Sequence, residues 1–333
     1  MSFVIKVKQS LFIAFLFLVL SYLLIDTGLH GDDYTVIASL NGHSFWSFIN
    51  QSPTEVGSLI LNPISFYGFW WAYALLGNEY QTIYDLIKFL SSVISVYLIF
   101  RFSSDYMPRD RAIIASLIFV LYPLHDTTLY WYMTLQYILT PAILLYAHHL
   151  IRHNKIKKGF FVTIVGSFLS YASPPYLFGL TVIFLYEKKL KKAIVFATPG
   201  ILYVVYYFWM KFNYAGLERR INSDLSILDF LKQMLIQPLS FLESAIGPSY
   251  WLKVFYAIES IGFISIIIIA MILIFSFIRV KSFSKVRKLP KSLYIGLISV
   301  LLLSFGMFAL TGLYSHSAFN LGNRTTVYGS LFI

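Results

Sequence analysis

Val56-Gly57-Ser58-Leu59-Ile60-Leu61-Asn62-Pro63-Ile64-Ser65-Phe66-Tyr67-Gly68-Phe69-Trp70-Trp71-Ala72-Tyr73-Ala74-Leu75-Leu76 is long enough to cross a bilayer. It is also broken by Asn62-Pro63 and carries two adjacent tryptophans, which favour the membrane–water interface. Whether it crosses sets the sidedness of everything after it, and the charges arbitrate. If it stays on one side, the cytoplasmic segments are the N-terminus (Lys6, Lys8), Arg101–Arg111, Arg152–Lys158, Lys188–Lys192 and Arg279–Lys291. These carry most of the 26 Lys and Arg residues, so the positive-inside rule holds at every turn. If it crosses, every later basic loop moves outside. The stretch therefore reads as a helix lying in, or dipping into, the outer leaflet.

The surrounding chain is of one kind. Hydrophobic residues make up 58% and charged residues 12%, about half the charged share of a soluble globule. The expected fold class is all-α: a polytopic helical membrane protein with about nine to ten transmembrane helices plus outer-face interfacial helices, in a single domain over residues 1–333. The expected spans are Leu11–Ile25, Thr82–Phe100, Ala112–Leu124, Met133–Leu150, Phe160–Ala172, Tyr176–Tyr186, Ala193–Met210, Tyr256–Ile278 and Ser292–Leu313. A last one starts near Val327 and has too few residues to finish: either it is a stub or the natural chain continues, and continuation is the expectation. Phe160–Ala172 and Tyr176–Tyr186 are short for a ~30 Å hydrocarbon core and either extend into their flanks or form a re-entrant pair. Lys6 and Lys8 before Leu11–Leu20 look like a signal peptide, but Tyr22-Leu23-Leu24-Ile25 has no small residues for cleavage.

Some functions are excluded at once. With no cysteine, thiol catalysis, disulfides and iron–sulfur clusters are absent. No Gly-rich phosphate loop is present, which argues against ATP-driven chemistry. The net charge of +11 sits in short runs between apolar segments, the pattern of membrane sidedness and not of nucleic-acid binding.

On the outer face this topology places two long loop regions, 26–79 and 211–250, and four polar clusters. The first is His30, Asp32 and Asp33, directly after the first span. Adjacent carboxylates at a membrane surface are costly, and their mutual repulsion suits one of them to accept a proton from a hydroxyl. Capping of the following helix explains them equally simply. The second is His125 and Asp126, where capping of the helix holding Tyr130 and Trp131 competes with a substrate-binding role. The third is Lys211, Glu218, Arg219 and Arg220; solvation or headgroup phosphate is the simplest reading of the arginines. The fourth is His316, Asn320, Asn323 and Arg324. Arg324 at the mouth of a span either snorkels or holds a phosphate bidentately. Asp32, Asp33, Asp126 and His125 could ligate a divalent metal ion, with Asp32 and Asp126 foremost, although nothing in their spacing requires one. In 211–250, Ser226–Ile236 has amphipathic helical spacing with Ser226 as N-cap, which gives either a surface helix or a lid over the other loops.

The order of Gly31-Asp32-Asp33-Tyr34, Asn62-Pro63-Ile64-Ser65, Leu76-Gly77-Asn78-Glu79-Tyr80, Leu121-Tyr122-Pro123-Leu124-His125-Asp126 and Gly322-Asn323-Arg324-Thr325-Thr326 resembles the GT-C superfamily of membrane glycosyltransferases. These use polyprenyl-phosphate sugars. The chain departs from the common pattern in having Asn62 where many members have Arg, Asp33 where many have Glu, and Asp126 where Glu is commoner. The resemblance implies that Asp32 is the catalytic base with Asp33 as neighbour or alternate, and that Asp126 and Arg324 bind substrate. It implies a polyprenyl-phosphate sugar donor and a glycan, lipid or protein acceptor in the envelope, with the site on the outer face of a bacterial plasma membrane. His125, Arg219 and Arg220 complete the candidate binding residues. An envelope polysaccharide polymerase, which also uses outer-loop Arg and His, is the nearest rival. A lipid-linked oligosaccharide transporter is the next, disfavoured because the spans carry almost no charge beyond Asp85 and Lys88.

Overall fold

A computed structural model describes residues 14–52, 57–214, 221, 225–280, 288–311, 316–319 and 325–331. Among these the chain is helical, with no strand. Helix α1 (Ala14–Leu24) leads into a run of short helices: α2 (Asp32–Leu40), α3 (Phe45–Ile49), α4 (Gly57–Leu61), α5 (Pro63–Ser65), a π turn (Phe66–Trp70) and α6 (Trp71–Leu76). The longer helices follow: α7 (Gln81–Ser103), α8 (Arg109–Val120), α9 (Asp126–Tyr130), α10 (Gln136–Arg152), α11 (Ile156–Leu169), α12 (Ser173–Tyr186) and α13 (Leu190–Asn213). Then come α14 (Ile227–Ile246), α15 (Pro248–Glu259), α16 (Phe263–Val280), α17 (Lys291–Thr311) and α18 (Val327–Ser330).

Among the described residues, α7, α13 and α17 are long and apolar enough to cross a membrane, and the number rises to five if each of two bent pairs is one span. The pairs are α8 with Pro123–Tyr130, bent by 47°, and Ile227–Glu259 with Phe263–Met271, bent by 118°. The second bend alters the expected span Tyr256–Ile278: Tyr256 belongs to α15, and the chain breaks at Ser260–Gly262 before α16 begins. Helices α11 and α12 are short and joined by a tight turn, because Ser170 is extended and Ser173 starts the next helix with prolines in its first turn.

The bundle has two polar ends. At one, which we term the first-loop end, the backbones of remote segments are tied together. Ser65 Oγ donates to the Leu169 carbonyl, the Tyr171 N–H to Asn62 Oδ1, and Tyr203 Oη to the Leu61 carbonyl. Tyr328 Oη donates to the Ala172 carbonyl. The segment from Asp26 to Tyr80 starts and finishes at this end. The stretch 56–76 is not one helix. Asn62 lies outside helical geometry (φ −135°, ψ 56°), Pro63 restarts the helix, and a π turn follows. Its aromatic rings fill a small core: Phe48 stacks on Phe66 at 4.9 Å, and Trp70 meets Tyr73 edge-on at 5.9 Å.

The opposite end collects the basic loops. Arg101 meets His149, Arg152 pairs with Glu187 and donates to Tyr106, and Ser292 at the start of α17 donates to Glu187. Between the ends Leu144, Leu145, Leu177, Leu180, Ile183 and Val300 are fully buried, alongside hydroxyls such as Ser92, Ser95, Ser116, Thr163 and Ser167 that donate to carbonyls four residues earlier in their own helices. Gly179 and Gly296 let α12 and α17 touch, since a methyl group on either would strike Val300 or Ile183.

Helix α14 is longer than its expected core, Ser226–Ile236. Ser226 caps it, its Oγ accepting from the Asp229 N–H at 3.1 Å, and it runs through Pro238 to Ile246. Its apolar face points outward: Leu228, Leu231, Leu235, Leu239 and Leu242 are exposed, while Gln237, Ser244 and Ala245 are buried with Phe241. A soluble helix turns its apolar face inward. This inversion is the pattern of a helix facing hydrocarbon.

Candidate functional site

The first loop is built around Asp33. Gly31 takes φ 48° and lies against the indole of Trp131, where a Cβ would come within 2.6 Å of the ring. Only glycine satisfies both demands there. With the chain so turned, Asp33 is fully buried and its carboxylate accepts three hydrogen bonds. Oδ1 accepts from Tyr73 Oη at 2.5 Å and from the Met133 N–H at 3.0 Å; Oδ2 accepts from the His30 N–H at 2.8 Å. One side chain thus joins the first loop, the broken stretch 56–76 and the second loop. Rings pack round it, with Tyr132 edge-on to Tyr73 at 5.2 Å and to Tyr84 at 4.8 Å.

Asp32 is the opposite case. It occupies the first turn of α2, is exposed, and among the described residues makes no hydrogen bond or ion pair. The pair that looks equivalent in sequence is divided by the fold into an anchored carboxylate and an available one.

Beneath the loop lies Lys88, fully buried in α7. Its ammonium donates to Thr27 Oγ1 at 2.6 Å, the Gly28 carbonyl at 2.6 Å and the Tyr130 carbonyl at 3.0 Å, and it pairs with Asp85 at 2.8 Å. Asp85 in turn accepts from Thr27 Oγ1 and the Gly28 N–H. Burial and the nearby Lys88 ammonium push His30 below its ordinary range despite the pull of Asp33. Its Nε2 is buried without a partner.

The second loop is also placed at this end. Asp126 pairs with Lys253 of α15 at 2.7 Å, and Lys253 donates further to the Ala318 carbonyl at 2.8 Å. His125 is fully buried between the rings of Phe119 and Tyr122, with Nε2 on Ser330 Oγ at 2.8 Å. It packs α18 against the second loop and faces no solvent. His316 is buried too, with Nδ1 on Thr325 Oγ1 at 2.9 Å, and burial pushes it down to about 3. Arg324, Arg219 and Arg220 lie outside the described residues, as do Glu218, Asn320 and Asn323.

Asp32 and Asp126 belong to no group of three metal-ligating side chains among the described residues. Two cavities lie near this end. One, of about 400 Å³ and almost wholly apolar, is lined among others by Leu61, Tyr171, Tyr203, Tyr207, Met307 and Thr311. The other, of about 250 Å³, lies beside Asp26 and Asp85. Neither is lined by Asp32, Asp33 or Asp126.

Sequence reasoning had picked out both loops but not the groups that hold them. Lys88 and Asp85, three residues apart in an otherwise apolar helix, were a legible signal, because intramembrane charge is rarely idle. Tyr73 and Lys253 carried none: one is among 25 tyrosines, the other among many cationic residues. No protein-family model matches the chain, and no curated protein or solved structure matches it at a significant level.

Proposed function

We propose that the chain is an integral-membrane glycosyltransferase of GT-C type, moving a sugar from a polyprenyl-phosphate donor to an acceptor on the outer face of a bacterial membrane. The finer topology, nine to ten spans in one domain with the basic end cytoplasmic, belongs to this proposal. The observation that carries it is the division of labour between Asp33 and Asp32. A buried carboxylate with three donors fixes the loop and presents a second carboxylate, unpaired among the described residues, at the end of the bundle where both candidate loops converge.

In this reading the Asp32 carboxylate takes the proton of the acceptor hydroxyl. The hydroxyl oxygen attacks the anomeric carbon, and the bond from that carbon to the phosphate oxygen breaks. Polyprenyl phosphate leaves with the electron pair, and Arg324 neutralises its growing charge. A single displacement inverts the anomeric centre. After Arg324 the chain is tied down at this end, Thr325 bonding His316 and Ser330 bonding His125. The apolar cavity at Tyr171 and Tyr203 suits an isoprenoid chain. Asp126, neutralised by Lys253, would orient the acceptor. The buried Lys88–Asp85 pair spends its bonds on loop backbone, which suits a fixed anchor better than a transporter's mobile charge.

The test is mass analysis of envelope glycans from cells lacking the chain, complemented with wild type or Asp32→Asn. Loss of one sugar unit with the variant supports the proposal. Wild-type glycans with Asp32→Asn refute the role of Asp32, and a change in polymer length alone replaces transferase by polymerase.

A further inference from the structure

The basic end holds a cluster unconnected with the proposed transfer. Asp105 follows α7, and His149 and His153 occupy the last turn and C-cap of α10. One ligand atom from each lies within 4.8 Å of the other two. His149 Nδ1 is 3.0 Å from Asp105 Oδ2, and His153 Nε2 is 2.8 Å from Oδ1. The two imidazoles stand 4.5 Å apart, tilted by 51°. The aspartate and His149 are nearly buried, while His153 is half exposed.

We propose that Asp105, His149 and His153 bind a first-row divalent metal ion such as Zn²⁺ or Co²⁺. Two imidazoles and one carboxylate are the donor set of three-ligand zinc sites, whose fourth position stays open to water. Ions that demand only oxygen, Mg²⁺ and Ca²⁺, are disfavoured by the same set. Metal–ligand bonds of ~2.0–2.1 Å in a tetrahedron put donor atoms about 3.3 Å apart. The two histidine–aspartate separations, 3.0 and 2.8 Å, are a few tenths of an ångström shorter than that, so the ion enters by a small rotation of side chains, with the half-exposed His153 the one most able to move. The i, i+4 spacing of the histidines puts both on one helix face. Their partner comes from the turn after α7, so the ion would clamp α7 to α10.

Arg101 opposes this arrangement. Its Nη2 is 3.4 Å from His149 Nε2, and it also donates to Tyr97 Oη at 3.1 Å. In the ion-free state His149 carries its proton on Nδ1, toward Asp105, and Nε2 accepts from Arg101. Metal on Nδ1 moves that proton to Nε2, and Arg101 must retire to Tyr97. Binding is therefore coupled to a swing of one guanidinium.

The test uses the full chain in detergent, without a polyhistidine tag, titrated with Co²⁺ and followed by visible ligand-field absorption. One equivalent giving the strong bands of a low-coordinate site is expected. His153→Ala, a half-exposed change that the fold tolerates, should weaken it by about tenfold or more, as should Asp105→Asn. Arg101→Gln should bind at least as tightly as wild type. Absence of such bands in wild type at saturating Co²⁺, or equal uptake by wild type and His153→Ala, overturns the site.

Discussion

The two ends of the bundle use charge in different ways. At the first-loop end, Asp33 and Lys88 are fully buried and their bonds include the distant backbones of Met133, Gly28 and Tyr130. At the basic end, Arg152, Glu187 and Lys189 are partly exposed and bond chiefly side chain to side chain. Burying an ion is costly and is offset only by complete bonding, so such a group fixes the geometry of whatever it touches. A half-exposed pair is screened and constrains little. Under the proposed function, the end with the fixed loops is the one that carries the site.

The sharpest way to break this contrast is Lys88→Met. It leaves Asp85 without its cation and the Thr27, Gly28 and Tyr130 oxygens without a donor, so a loss of ~3–5 kcal/mol is expected. Thermal unfolding in detergent reads it, and Lys88→Met with Asp85→Leu should recover part of the loss. A single variant as stable as wild type would show that the pin is dispensable. Tyr73→Phe comes next. It removes one of three donors to Asp33 and should cost ~1–3 kcal/mol. The loss should be nearly absent when Asp33 is already Ala, because no acceptor is then left for the Tyr73 hydroxyl and the two changes remove one interaction.

These anchors explain how far the sequence could be read. The helical class, the acidic first loop, the break at Asn62-Pro63 and the Ser226 cap are local facts of residue type and spacing, and each is visible in the chain alone. What escaped was every long-range bond. Asp32 and Asp33 are indistinguishable as neighbours; only the approach of Tyr73 and Met133, 40 and 100 residues away, separates them. The reversed amphipathicity of α14 was likewise hidden, because periodicity identifies a face without saying whether it meets core or lipid. The bend before α16 is a different case: it falls at Glu259-Ser260-Ile261-Gly262, a polar and glycine-containing interruption visible in the sequence, across which the expected span Tyr256–Ile278 runs.

At the basic end the expected effect is smaller and depends on pH. Burial works against the charge of Glu187, yet hydrogen bonds from Lys189 and Arg152 hold its carboxyl below the usual range. A carboxylate with a lowered folded-state pKa stabilises above its unfolded value and loses that contribution as pH falls through the folded one. Wild type should therefore exceed Glu187→Gln by about 1 kcal/mol at neutral pH, and the two should converge below the ordinary carboxylate range near pH 4. A gap that persists in acid would mean that Glu187 acts through packing and not through charge.

The smallest effect on stability should come from the residue to which the proposed chemistry gives the largest role. Asp32 is exposed and makes no bond among the described residues, so Asp32→Asn is expected to shift stability by no more than about 0.5 kcal/mol. Asp33→Asn keeps an oxygen for Tyr73 and Met133 but sets an NH2 group against the His30 N–H in a buried site, and should shift it by ~1–3 kcal/mol. Under the proposed chemistry both lose transfer, for different reasons. Asp32→Asn keeps the loop and loses the base, so its thermal midpoint stays while its glycan product disappears. Asp33→Asn loosens the loop, so product and midpoint should fall together and recover in part on cooling. If Asp33→Asn abolishes product at an unchanged midpoint while Asp32→Asn leaves product intact, the buried carboxylate is the reactive one, and the anchor and the base exchange places.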